Sequence, residues 1–95
     1  MRVIRTPHYI LRLQKILEYI GKDKISAAKK FKASVDKNIN TLVHSPYKYR
    51  KSFYFNDENI RDMIFEGYSI IYRVDRDKNI IEILEIFNQN LPEIK

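Results

Sequence analysis

The chain has no cysteine. A disulfide framework and thiolate chemistry are therefore excluded, and the absence fits a reducing cytoplasm. Glycine occurs only at Gly21 and Gly67, too sparsely for a phosphate-cradling loop, and no cofactor is expected. The two histidines, His8 and His44, stand far apart without acidic or histidine spacing around them. Each reads as a surface or capping residue, and no metal centre is expected. No apolar run approaches the roughly 20 residues needed to span a bilayer, so no membrane role is expected. The opening MRVIRTPHYI lacks the apolar stretch and small-residue cleavage site of a signal peptide. No serine lies in a nucleophile-elbow context. Acidic residues are scarce in one half: residues 1–51 hold thirteen Lys or Arg against three Asp or Glu, a net of +10. Residues 52–95 hold five against nine, a net of −4, which returns the chain's +6.

A basic half beside an acidic half points to an anionic partner for the first half, either nucleic acid or an acidic protein segment; a solvated, lysine-rich helix face explains the same pattern. With 95 residues, 44% of them apolar, the chain is expected to form one domain over residues 1–95 with one modest core.

MRVIR alternates and reads as a strand. In TPHYILRLQKILEYIG, Thr6 is a helix N-cap and Pro7 a first helical residue. Apolar residues at Ile10, Leu13, Ile16, Leu17 and Ile20 have helical spacing, and Gly21 is placed to end the helix. Asp23 is expected to cap a second helix with the stripe Ile25, Ala28, Phe31, Val35, Ile39 and Leu42, stopped by Pro46. So short a link makes the two helices antiparallel neighbours. From Lys51 the period falls to two: SFYF, then NIRDMIFE, a turn at Gly67, YSIIYRV, the turn DRDKN, and IIEILEIF. Tight spacing means antiparallel hairpins. The expected fold is α+β: an N-terminal strand, an antiparallel two-helix hairpin, then a three- to four-stranded antiparallel sheet packed on the helices. Leu13, Leu17, Phe31, Val35 and Ile39 are expected in the core.

Three features carry candidate chemistry. In SPYKYRKSFYF, the cations Lys48, Arg50 and Lys51 alternate with rings, a pattern that holds phosphates and stacks bases. For Phe53 and Phe55 the blander reading is preferred: they are expected to pack under the sheet. Arg61 and Arg73 lie on successive strands. Each suits an anionic target or an ion pair with Asp62, Asp75 or Glu82. Strand alternation sends Tyr72 towards the helices and Arg73 to the open face, where Arg61 is placed to join it. Glu82 and Glu85 fall on opposite strand faces by the same count, against a joint acid–base role.

The strand pattern resembles the RelE/ParE superfamily of toxin–antitoxin toxins. The residues that carry the likeness are Arg61, Gly67-Tyr68, Tyr72-Arg73-Val74 and the apolar run Ile80 to Phe87, with Pro46 and Arg50 upstream. The resemblance implies a cytoplasmic toxin neutralised by a cognate antitoxin. RelE-like members cleave mRNA on the ribosome, using basic residues and an acid or base near the end of the last strand. ParE-like members poison DNA gyrase and are not nucleases. Here that strand ends in Asn88, Gln89 and Asn90, and amides do not titrate near neutral pH. The departure favours a non-enzymatic, ParE-like reading. The alternatives are a ribosome-dependent endoribonuclease and a non-toxic basic binding module on the same fold. By this likeness Arg61 and Arg73 are the catalytic candidates if there is catalysis. Lys48, Arg50, Lys51, Arg61, Arg73, Asn88 and Asn90 are candidates for target or partner binding. An acidic, disordered antitoxin segment is expected on the basic surface of residues 22–51.

Overall fold

A computed structural model describes residues 1–88. Strand β1 (Arg2–Arg5) leads into helices α1 (Pro7–Asp23) and α2 (Ile25–Asn40). A 3-10 turn (Thr41–His44) follows, then strands β2 (Arg50–Lys51), β3 (Ile60–Phe65), β4 (Tyr68–Asp75) and β5 (Ile80–Asn88). The five strands form one sheet in the order β1-β5-β4-β3-β2. β1 runs parallel to β5, pairing Arg2 with Ile80 and Arg5 with Ile83; every other pair is antiparallel. The expected α+β arrangement, with a helical hairpin on the sheet, is the one observed.

Thr6 caps α1 as expected: its hydroxyl accepts from the Tyr9 amide at 3.3 Å and donates to the Ile83 carbonyl at 2.7 Å, which ties the helix start to β5. Two boundaries differ from expectation. α1 continues through Gly21 to Asp23, and Lys24, in extended backbone, makes the corner. Asp23 therefore caps nothing; α2 begins without a side-chain cap. Gly21 instead lies within α1, where a Cβ would meet the Ala28 Cβ of α2 at 3.7 Å. α2 stops at Asn40, before Pro46, because the chain tightens into the 3-10 turn that buries Leu42.

Leu13, Phe31, Val35 and Ile39 are buried and Leu17 partly so, as their spacing predicts. Two stripe positions shift: Tyr9 is fully buried where Ile10 is half exposed, and Ile25 faces outwards. Opposite the helices lie Ile70, Tyr72, Val74, Ile81, Ile83 and Ile86, all essentially inaccessible. The β3–β4 hairpin closes on two residues, Glu66 and Gly67, both at positive φ (48° and 83°). That is the twist a two-residue hairpin requires, and glycine supplies half of it without strain. The SFYF run is not a strand: β2 is the preceding pair Arg50–Lys51, and the aromatic run is a loop.

Candidate functional site

Alternation along β4 separates Tyr72 from Arg73. Tyr72 points into the core and donates its hydroxyl to the Pro46 carbonyl at 2.6 Å. Burial pushes this hydroxyl well above the ordinary tyrosine range, with the Arg61 charge pulling the other way. Arg73 emerges on the opposite face, between Ile60 of β3 and Glu82 of β5. Its Nε donates to Glu82 Oε1 at 3.2 Å, and its side chain is 44% exposed. The sequence reading gave Arg73 this face and named Glu82 among possible partners; the structure shows both.

Arg61 does not join it. Register places Arg61 opposite Tyr72, on the helix side of the sheet. There it holds the segment that follows the helices: Nη1 donates to the Tyr49 carbonyl at 3.1 Å and Nε to the Glu58 carbonyl at 2.9 Å. Its guanidinium carbon lies 4.9 Å from the centre of the Tyr47 ring, and that of Arg76 lies 5.0 Å from the same ring. Counting along each strand gave the alternation, but only the pairing between strands fixes which face of β3 matches which face of β4. The two arginines therefore serve separate surfaces, and Arg61 is chiefly a fastener.

On the Arg73 side, the loop after β2 folds across the sheet. Arg50 Nη2 meets Asp62 Oδ2 at 3.5 Å while its guanidinium stacks 3.6 Å from the centre of the Phe53 ring. The Phe53 amide donates to Asp62 Oδ2 at 3.0 Å, and the Tyr54 amide to Ser52 Oγ at 3.1 Å. The Tyr54 ring then meets Phe87 of β5 edge to face, 5.2 Å between centres. Phe53, Tyr54 and Phe55 remain 75%, 50% and 46% exposed. The expectation that Phe53 and Phe55 pack under the sheet is overturned, because the loop is held by its backbone and by Tyr54. Asp62 is a site residue that sequence reasoning used only as a surface partner. It is buried, and its Oδ1 has no hydrogen-bond partner. Its position in an alternating strand gave no sign of this. Lys51 Nζ reaches Asn56 at 3.3 Å and Glu58 at 3.5 Å, and Lys48 Nζ lies 5.5 Å from the Tyr49 ring centre.

The end of β5 also differs from a plain strand. Tyr72 pairs with Ile83 but Ile71 with Glu85, so Leu84 is an extra, bulged residue. The bulge puts Glu82 and Glu85 in the same phase, opposite Arg73 and Ile71, where simple alternation separates them. Their carboxylates nonetheless diverge. Glu85 turns to α1. There it accepts from Arg12 Nε at 3.0 Å and from its neighbour's amide, Ile86 N, at 3.1 Å. His8 Nε2 lies 2.6 Å from its other oxygen. An imidazole–carboxylate pair thus stands beside this end of β5, and the sequence, seeing His8 and Glu85 far apart, missed it. Asn88 lies opposite Tyr68; Asn90 and Gln89 are outside the described residues. Among the described residues no group of three His, Cys, Asp or Glu could hold a metal, and no helix is long and apolar enough to cross a membrane.

The molecule so assembled presents Arg73 on β4, a strapped aromatic loop beside Arg50 of β2, and a basic helical hairpin. The fold is similar to a solved structure, the chromosomal ParDE TA system from P. aeruginosa, with a TM-score of 0.75 and 18% identity over 93% of this chain and 95% of that one. No curated protein matches the chain. A family model described as the ParE toxin of the type II toxin–antitoxin system parDE matches residues 2–90. The chain therefore belongs to the ParE toxin family of type II toxin–antitoxin systems.

Proposed function

We propose that this chain arrests growth in the cytoplasm by inhibiting DNA gyrase, and that a cognate antitoxin holds it silent. The family match over residues 2–90 carries the reading. The display of Arg73 supports it: a guanidinium on a central strand of the sheet is aimed more firmly than one on a loop, which suits an anionic group on a protein target. The antitoxin engages the lysine-rich surface of residues 22–51 through an acidic segment. α2 offers Lys29, Lys30 and Lys37, and its one acid, Asp36, is already paired with Lys32 at 2.7 Å and Arg5 at 3.3 Å. Purified chain should inhibit supercoiling by gyrase, and induced cells should show no codon-positioned cuts in mRNA by primer extension.

One observation favours a second reading, the ribosome-dependent endoribonuclease: the His8–Glu85 pair beside the end of β5 is able to exchange protons where the amides are not. His8→Gln separates the two. It leaves growth arrest intact if gyrase is the target and abolishes it, together with mRNA cuts, if the chain is a nuclease. Silence in both assays would leave the non-toxic binding module.

A further inference from the structure

Between Asp36 and Asp57 the chain has no acidic residue, and the later part of this span sets cations beside rings. Three consecutive rings, Phe53 to Phe55, stand substantially exposed. Folded domains seldom leave so contiguous a run of large apolar side chains in water without a use for it. Nor is the loop loose. Ser52 and Asp62 beneath it are buried and accept the Tyr54 and Phe53 amides, and Tyr54 leans on Phe87. The Arg50 guanidinium, drawn by Asp62, lies over one face of Phe53. Ring and cation thus form the start of a stack.

We propose that this loop, with Lys48, Arg50 and Lys51, is a binding site for single-stranded nucleic acid. Unpaired bases bring flat faces that continue the stack on Phe53 and Phe55, and their phosphates meet the three cations. A duplex keeps its base faces hidden and gains only the charge term. An acidic peptide likewise satisfies the cations but makes no use of the rings. Glu58 is the competing charge: 74% exposed, it lies 3.5 Å from both Lys51 and Arg61. A phosphate would take its place. The inference holds whether or not gyrase is the target.

The test is fluorescence anisotropy of the full chain with labelled single-stranded homopolymers of about ten nucleotides, a length within the range one such site covers. A matching duplex and a poly-glutamate peptide run in parallel. The single strand should bind with a salt slope of about −2, as three cations each releasing roughly 0.7 counterions imply. Phe53→Ala should weaken it by roughly fivefold or more, with an unchanged melting transition because the ring is exposed. Glu58→Gln should tighten it several-fold. Absence of binding, equal affinity for the duplex, indifference to Phe53→Ala, or poly-glutamate binding with the same loss on Phe53→Ala would each overturn the proposal. The supercoiling assay is read independently, so failure here leaves the gyrase reading standing.

Discussion

The two faces of the sheet are built on opposite plans. The helix side is a continuous apolar layer in which Ile70, Tyr72, Val74, Ile81, Ile83 and Ile86 meet Phe31, Val35 and Ile39. The other side buries polar groups, Asp62 and Ser69, beneath or beside a loop whose own aromatic rings stay in solvent. The first plan maximises area removed from water, at about 25 cal/mol per Å². The second gives up that gain and instead fixes the direction of particular groups: Arg73 through Glu82, Phe53 through Asp62 and Arg50. Apolar burial and the aiming of polar groups thus fall on different surfaces of the same three central strands.

This division has a graded set of consequences. The largest lies in the apolar layer. Phe31→Ala and Ile39→Ala should each cost about 2–5 kcal/mol in urea unfolding, since both leave cavities under rigid neighbours. Phe31 also loses ring contacts with Phe65 at 5.9 Å and Tyr68 at 5.0 Å between centres. A loss below about 1 kcal/mol in both would erase the contrast. Next comes Asp62→Ala, which strands the Phe53 amide and frees Arg50. A cost of about 1–3 kcal/mol is expected, with loss of protection of the Phe53 amide in hydrogen exchange.

Two buried tyrosines sharpen the comparison from within the core. The Tyr9 hydroxyl is buried without a partner, whereas that of Tyr72 reaches Pro46. Tyr9→Phe should stabilise by up to about 1 kcal/mol and Tyr72→Phe should destabilise by about the same amount. Burial pushes the Tyr9 hydroxyl up to about 12 and that of Tyr72 higher still. A folded-state pKa above the unfolded value near 10 means that the associated stability is complete below about pH 10 and is lost as pH rises through the folded value. At pH 10 the folded chain should therefore keep both of these tyrosines protonated, so that Tyr9→Phe and Tyr72→Phe leave its tyrosinate absorbance at that pH unchanged.

The smallest stability effect belongs to Arg73. Its pair with Glu82 is exposed, so Arg73→Ala should cost under about 1 kcal/mol by thermal unfolding. Growth arrest on induction should nevertheless be largely lost, and Arg73→Lys should restore little, because a point charge does not copy a bidentate fork. Unfolding of Arg73→Ala would make the residue structural. A folded and fully toxic variant would move the functional face to the basic helices.

Most of the helical layer was legible because period 3.6 is a local property, and Thr6, Pro7 and the stripe from Leu13 to Ile39 declare it. The Arg73 face was legible for the same reason, at period two. What failed was whatever depends on two distant segments. The bulge at Leu84 shows only against β4, and without it alternation puts Glu85 on the face opposite Glu82. Arg61 was given the wrong face because strand-to-strand register is not written in either strand. The SFYF run has the composition of a strand, but its Phe53 and Tyr54 amides go to the Asp62 and Ser52 side chains and the run is a loop. The expected ends at Gly21 and Asp23 moved because the chain stays helical through Asp23 and turns at Lys24, in extended backbone, a corner that neither residue's own propensity announces.

The parallel pairing of β1 with β5 joins nearly the first residues of the chain to nearly the last of those described. During synthesis β1 and both helices leave the ribosome before the strand that sits between β1 and β4 exists. Until β5 is made, the Thr6 cap has no Ile83 carbonyl and Arg73 has no Glu82. The nascent hairpin is amphipathic but has no sheet centre to cover, and closing β1 onto β5 must wait for a long-range contact. A half-made chain therefore has neither its finished sheet nor a positioned Arg73. A partner that recognises the exposed stripe of the helices before β5 arrives would meet this protein earlier than one that recognises the finished sheet.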